Sequence, residues 1–218
     1  MRRQGRHFAF AAVLGALVSV NAVASEMDRV SSRWEFSVYL DEKKVGTHVF
    51  ELTERDGTEM IESRADFQYK VLFIPVYRYQ HRNAERWVDD CLVELAAQTN
   101  ANGERFEVRG ERIGNRFRVD RGDEQVGLPE CVMTFAYWNP RFMDESRLLN
   151  PQTGEYVEVN VERLAPEPLE VRGETVSTKR YRLTAYQLNL TLWYSDDDRW
   201  LALESVVEGG HVIRYELS

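Results

Sequence analysis

Along most of the chain apolar and polar side chains alternate one for one, the period of a strand with one face on a core. From Arg33 to Leu40, Trp34, Phe36, Val38 and Leu40 share one face, and Arg33, Glu35, Ser37 and Tyr39 share the other. Asp41–Lys44 predicts a polar turn, after which Val45–Thr53 returns with Phe50 and Leu52 on one face. Asp56-Gly57 is a hairpin signal, because the tight turn it favours needs positive φ at both central positions. Ile61, Ala65, Phe67 and Tyr69 then alternate with Glu62, Arg64, Asp66 and Gln68, and the apolar run Val71–Ile74 before Pro75 predicts a buried bend. Tyr77–Cys91 is long, polar and aromatic. Leu92–Thr99 follows, then a turn at Asn100–Gly103 and a hairpin in which Phe106/Val108 and Phe117/Val119 flank Gly114-Asn115.

The rhythm breaks between Cys131 and Leu149. Asn139-Pro140 predicts a helix start there, since proline suits a first turn, and Arg141–Leu149 reads as one or two short helices. Past a turn at Asn150–Gly154, Val157, Val159 and Val161 alternate with Glu158, Asn160 and Glu162, and Pro166 and Pro168 mark a loop or an edge. The last third is the cleanest: Tyr181–Ala185, then Leu188, Leu190, Leu192 and Tyr194 on one face, a tip at Asp196–Asp198, Trp200–Val207, a turn at Gly209-Gly210, and Val212–Leu217. About ten strands joined by short turns predict an all-β fold, a curved antiparallel sheet forming a roll or barrel with a short helical insert. A two-sheet sandwich is the alternative.

The N-terminus departs from this pattern. Arg2, Arg3 and Arg6 precede an uncharged run from Phe8 to Val20, and Ala22-Val23-Ala24 offers small residues to a peptidase. These are the parts of a secretory signal, and an apolar stretch of about 13 residues is short of the ~20 a spanning helix needs. Residues 1–24 are therefore expected to be a cleaved signal peptide, and 25–218 a single β domain with no transmembrane segment after processing. The whole chain carries 28 basic and 36 acidic side chains, a net charge of −8, and loss of the three arginines of the leader would make it −11. That charge disfavours nucleic acid and anionic surfaces as partners. Arginine greatly outnumbers lysine, which occurs only at Lys43, Lys44, Lys70 and Lys179. This bias suits a GC-rich bacterial genome, and with the leader it points to a periplasm. There Cys91 and Cys131, the only cysteines, are expected to form a disulfide. Closing a loop of about 40 residues would stabilise the fold by roughly 4 kcal/mol. Two buried free thiols are the alternative.

Candidate chemistry is sparse. Beyond the leader the histidines are His48, His81 and His211, on separate predicted strands. None has a metal-binding spacing, and no nucleophile elbow, phosphate loop or C-x-x-C is present. No catalytic residue, metal site or cofactor is assigned on this basis. Asp196–Asp198 could suggest calcium, but adjacent acids on a tight turn diverge. Asn189-Leu190-Thr191 matches a glycosylation acceptor that falls mid-strand. The densest polar segment, 77–91, puts Tyr79, His81, Asn83, Glu85 and Trp87 on one face and Arg78, Gln80, Arg82 and Arg86 on the other. His81 and Glu85 would stand about 13 Å apart at ~3.3 Å per residue, too far to act as a pair. That strand also reads simply as an amphipathic edge strand whose arginines pair with acids on a neighbour. As a site, its aromatics would join those of the insert. The candidate ligand-binding residues are Tyr77, Tyr79, His81, Trp87, Tyr137 and Trp138, with the insert as a lid and His81 bonding a head group. Arg78 or Arg82 could reach that group only if the strand twists them inward.

The segments YRYQHRNAERWVDDCL (77–92), TNANGERFEV (99–108), AYWNP (136–140), LLNPQTGEY (148–156), WYSDDDRWLALES and GGHVIRYEL (within 193–217) resemble a family of bacterial exported proteins, the domain of unknown function 6134. They are also distantly similar to the domain of unknown function 3108, a group of curved β-rolls of the cell envelope. The resemblance implies the fold and the compartment and carries no activity. Three functions remain as expectations. The first is a non-enzymatic periplasmic binding or envelope-accessory protein with an apolar, amphiphilic or lipid-like ligand. The second is an enzyme using His81 as general base beside Tyr79 and Glu85. The third is an adaptor to an envelope protein, working through a sheet edge or an aromatic patch.

Overall fold

The computed structural model describes residues 30–71, 74–186 and 188–218. The expected signal peptide lies outside them. The described residues form seventeen strands: β1 Val30–Leu40, β2 Lys43–Arg55, β3 Thr58–Val71, β4 Ile74–Val88, β5 Cys91–Ala101, β6 Glu104–Ile113, β7 Arg116–Asp120, β8 Gln125–Leu128, β9 Arg147–Leu149, β10 Tyr156–Glu158, β11 Asn160–Leu164, β12 Leu169–Val171, β13 Glu174–Val176, β14 Lys179–Ala185, β15 Leu188–Tyr194, β16 Trp200–Val206 and β17 Val212–Leu217. Turn chemistry sets much of this meander. Asp56-Gly57, Asp89-Asp90, Asn102-Gly103 and Arg172-Gly173 each place two residues at positive φ, as primed two-residue hairpins demand. Of the bend expected over Val71–Ile74, residues 72 and 73 lie outside the described residues; Val71 at the end of β3 pairs with Ile74 at the start of β4.

Thirteen strands make one antiparallel sheet in the order β11-β14-β15-β16-β17-β1-β2-β3-β4-β5-β6-β7-β8. The C-terminal strand β17 pairs with β1, which splices a β1–β8 meander to a β14–β17 meander. The edges are β8 and β11, so the sheet rolls without closing into a barrel. The roll is visible in the core. Trp34 and Phe36 of β1, Trp87 of β4, Phe117 and Val119 of β7, and Leu190, Leu192 and Tyr194 of β15 all belong to one buried cluster. Small hairpins β9–β10 and β12–β13 lie apart from the main sheet.

The insert between β8 and β11 differs from its expectation. It is not helical: apart from a single 3₁₀ turn at Pro140–Asp144, residues 129–146 are irregular. Asn139 does cap that turn, its side chain accepting from the Arg141 N–H. Nor is the insert a lid. Val132, Met133, Ala136, Phe142, Leu148 and Leu149 are buried in the shared cluster, making the segment the filling of the roll. Enough apolar side chains are sealed there that tertiary burial holds an irregular backbone in place. Its carbonyls and amides find partners in the sheet and in each other: Leu92 donates to Val132, Leu149 to Met133, and the Tyr194 hydroxyl to the Tyr137 carbonyl. The Cys91–Cys131 disulfide is present, with Cα atoms 4.9 Å apart. Beside it Asp90 pairs with Arg141, so the β4–β5 turn is tied to the insert twice.

Candidate functional site

Register decides what the inner face of β2–β4 presents to the insert. One cross-strand row runs Phe36, His48, Ala65, His81, Thr99, and the next runs Trp34, Phe50, Ser63, Asn83, Ala97. In each, a small β3 residue sits between larger neighbours. His48 and His81 flank Ala65 about 9–10 Å apart, two strand spacings. The third row, Leu52, Ile61, Glu85, Leu95, brings a carboxylate onto the same face.

Between these rows and the insert lies a cavity of about 240 Å³. Strands β2–β4 contribute His48, Phe50, Ile61, Ser63, Tyr79, His81, Asn83 and Glu85. Across from them stand Phe135–Trp138, the Asn150–Gln152 turn and Leu188. Ile61, Ser63, His81, Glu85, Ala136 and Trp138 are buried, whereas Asn150, Pro151, Gln152 and Leu188 are half-exposed, so the cavity has a closed end and a solvent side. On that side the Tyr79 hydroxyl donates to Gln152 Oε1 at 2.9 Å.

The closed end is polar. Glu85, 4% exposed, accepts from Asn83 Nδ2 at 2.9 Å, Trp87 Nε1 at 3.0 Å and Thr134 Oγ1 at 3.3 Å. Burial raises its pKa, and these three bonds act the other way. Burial pushes His81 down to about 4, and burial together with His81 pushes His48 down to about 3. Both imidazoles are therefore neutral at pH 7. His81 Nδ1 lies 2.8 Å from Thr99 Oγ1, and His48 Nδ1 lies 3.3 Å from the Tyr215 hydroxyl. Two buried lining atoms have no partner: His48 Nε2 and Asn83 Oδ1. Among the described residues no arginine or lysine lines the cavity, and no group of three or more His, Cys, Asp or Glu able to hold a metal ion occurs.

Of the residues singled out from sequence, Tyr79, His81, Tyr137 and Trp138 meet on this cavity. Tyr77 does not: it is 43% exposed and stands outside the lining. Trp87 is sealed in the core behind it, edge-on to Trp138 at 5.8 Å. Arg78 and Arg82 stay on the exposed outer face, because alternation along β4 keeps them opposite His81. Strand β4 is interior, not an edge, although Arg86 does pair with Glu94 of β5. His48, Phe50, Ser63, Phe135 and the 150–152 turn went unnoticed as lining. The alternation had put Phe50 and Leu52 on the core face, and His48 shares their parity. A larger concavity of about 1250 Å³ crosses the outer faces of β3–β7. Its surface is charged, and Arg64, Arg86, Arg109 and Arg118 are paired there with glutamates.

A family model, "Domain of unknown function (DUF6134)", matches residues 36–218. The chain belongs to this family. Similarity to the 3108 group does not emerge. No curated protein matches the chain. Among solved structures, it is similar to a "Beta-barrel-like Protein of Domain of Unknown Function DUF1849 from Brucella abortus", with a TM-score of 0.63 at 8% identity over 85% of this chain and 94% of the other. At that identity the likeness is one of fold. No helix among the described residues is long and apolar enough to cross a membrane.

Proposed function

We propose that this DUF6134 protein is exported and acts in the periplasm as a non-enzymatic binding protein, holding a small amphiphilic molecule between β2–β4 and the insert. One observation carries the reading. The cavity joins an aromatic wall of Phe50, Phe135, Tyr137 and Trp138 to a buried polar end where Asn83 Oδ1 and His48 Nε2 lack partners. Apolar walls with a few placed polar groups are the usual make-up of a small-molecule site, and an unmet buried acceptor costs about 1–3 kcal/mol that a ligand can recover. At about 30 Å³ per water-sized group the space takes about eight such groups. This favours a compact molecule over a full-length acyl chain. The disulfide supports the compartment, since such bonds persist where the surroundings are oxidising.

The enzyme reading has one contact in its favour, His81 beside the Thr99 hydroxyl. Thr99 does not line the cavity, and an imidazole held near 4 is a weak base at neutral pH, so the pair serves the sheet. The adaptor reading would need a contiguous apolar patch, whereas the exposed large apolar side chains are spread over β1 (Val30), β3 (Met60), β4 (Val76 and Tyr77), β6 (Ile113), the turn after β14 (Tyr186) and β16 (Val206). Native mass spectrometry of protein recovered from the exported fraction tests the proposal. A bound small molecule, lost on unfolding, is expected. Protein that remains in the cytoplasm, or that never carries or takes up a small aromatic compound, would overturn it.

A further inference from the structure

Resting on the binding proposal, we infer that the molecule held in this cavity is a small organic cation, an amine with a short aromatic or aliphatic body, and that Glu85 is its counter-ion. The polar end of the cavity is one-sided in chemistry. Glu85 is sealed from solvent and receives three hydrogen bonds, yet among the described residues no basic side chain pairs with it. A carboxylate has about four lone-pair sites, so one remains for a donor from the cavity it lines. Asn83 spends its amide N–H on Glu85, which leaves its unpartnered Oδ1 as a second acceptor. A neutral His48 supplies a third group, its Nε2 accepting when Nδ1 carries the proton toward Tyr215. An ammonium is all donors and no acceptor, the complement of this set.

The walls point the same way. Phe50, Tyr79, Phe135, Tyr137 and Trp138 present rings around the space, and a cation over aromatic faces is stabilised by the ring quadrupoles, more so when desolvated. A buried carboxylate without a cation is costly, and a buried pair is tolerable only when its remaining hydrogen-bonding sites are met. Here Asn83, Trp87 and Thr134 already hold the carboxylate in place. An anionic amphiphile meets the opposite situation. Its carboxylate would face Glu85 with no arginine or lysine in reach, since Arg78 and Arg82 lie on the outer face.

Three probes of nearly one size and different charge test this by isothermal titration of the processed protein at pH 7: 2-phenylethylamine, 2-phenylethanol and phenylacetate. The amine is expected to bind at least tenfold tighter than the alcohol, and phenylacetate not to bind over the same range. Glu85→Gln, isosteric and able to keep the Trp87 bond, should erase the preference, so that the amine binds no tighter than the alcohol. The wild-type ranking stands alone as a test if that variant does not fold. An alcohol bound as tightly as the amine, or phenylacetate bound best, overturns the cation inference and leaves interior binding in place. Absence of binding by all three overturns both.

Discussion

The inner face of this one sheet is built in two ways. On β14–β16 it is packed: Leu183, Leu190, Leu192, Tyr194, Trp200 and Leu203 are buried, and the Tyr194 hydroxyl is satisfied by the Tyr137 carbonyl. On β2–β4 the same face carries His48, Ser63, His81, Asn83 and Glu85, borders a cavity that opens to solvent on one side, and leaves two buried polar atoms unmet. A sheet under selection for stability alone would gain by filling that half with leucine, because each apolar side chain buried contributes about 1.5–3 kcal/mol and each unmet polar atom subtracts. The contrast separates the wall that holds the roll together from the wall to which the binding proposal assigns the ligand.

The largest effect should come from breaking the filled wall. Leu192→Ala is expected to lower unfolding free energy by about 2–5 kcal/mol in a denaturant melt, through lost burial and the cavity left behind. Ser63→Ala on the other wall should cost well under half as much. If the two losses were equal, the division into structural and functional walls would be wrong. Next comes the staple between the walls. Reduction of Cys91–Cys131 should cost about 2–4 kcal/mol, and hydrogen exchange should rise first in residues 131–138 before it rises in β14–β16.

The polar wall should also make stability depend on pH. Folded values of about 3 for His48 and about 4 for His81 lie below the unfolded value of about 6.5. The unfolded chain therefore binds more protons between those limits, and stability that is complete above pH 6.5 is lost as pH falls toward 4. Glu85 acts with the opposite sign. Its raised folded value means that its contribution is present at low pH and lost as pH rises through that value. Each histidine can account for up to about 3 kcal/mol by pH 4. His81→Gln, which still offers Thr99 a hydrogen bond, should flatten the slope of urea-melt stability between pH 6.5 and 5; an unchanged slope would place the acid sensitivity elsewhere. The smallest change in stability is expected from Ser63→Val, which fills the cavity floor. Unfolding free energy should move by less than about 1 kcal/mol, while uptake of 2-phenylethylamine is abolished.

How much of this was legible beforehand varies with the range of the forces involved. Alternation placed Tyr79, His81, Asn83, Glu85 and Trp87 on one face, and the structure keeps them there. The insert misled, because Asn139-Pro140 is a true local start signal that leads only into one 3₁₀ turn. Met133, Phe142, Leu148 and Leu149 are drawn into the roll, and that burial outweighs a short stretch's helical preference, which is worth little without a long amphipathic face. His48 was passed over because its neighbours across the sheet are 17 and 33 residues away in the chain, at Ala65 and His81.

The sequence by itself determined the strand character of most of the chain, the positions of its tight turns, the facing of side chains along its regular strands, and the one partner each cysteine could have. All of these follow from local sterics and a period of two, or from there being a single possible partner. Only the tertiary structure decided that β17 closes onto β1, that the sheet stops at β8 and β11 without becoming a barrel, and that the 129–159 segment fills the roll. It alone left a space of about 240 Å³ at the join. Such a space is a mismatch of side-chain volumes between segments that meet only after the sheet has curled, and no window of the chain contains both sides of it.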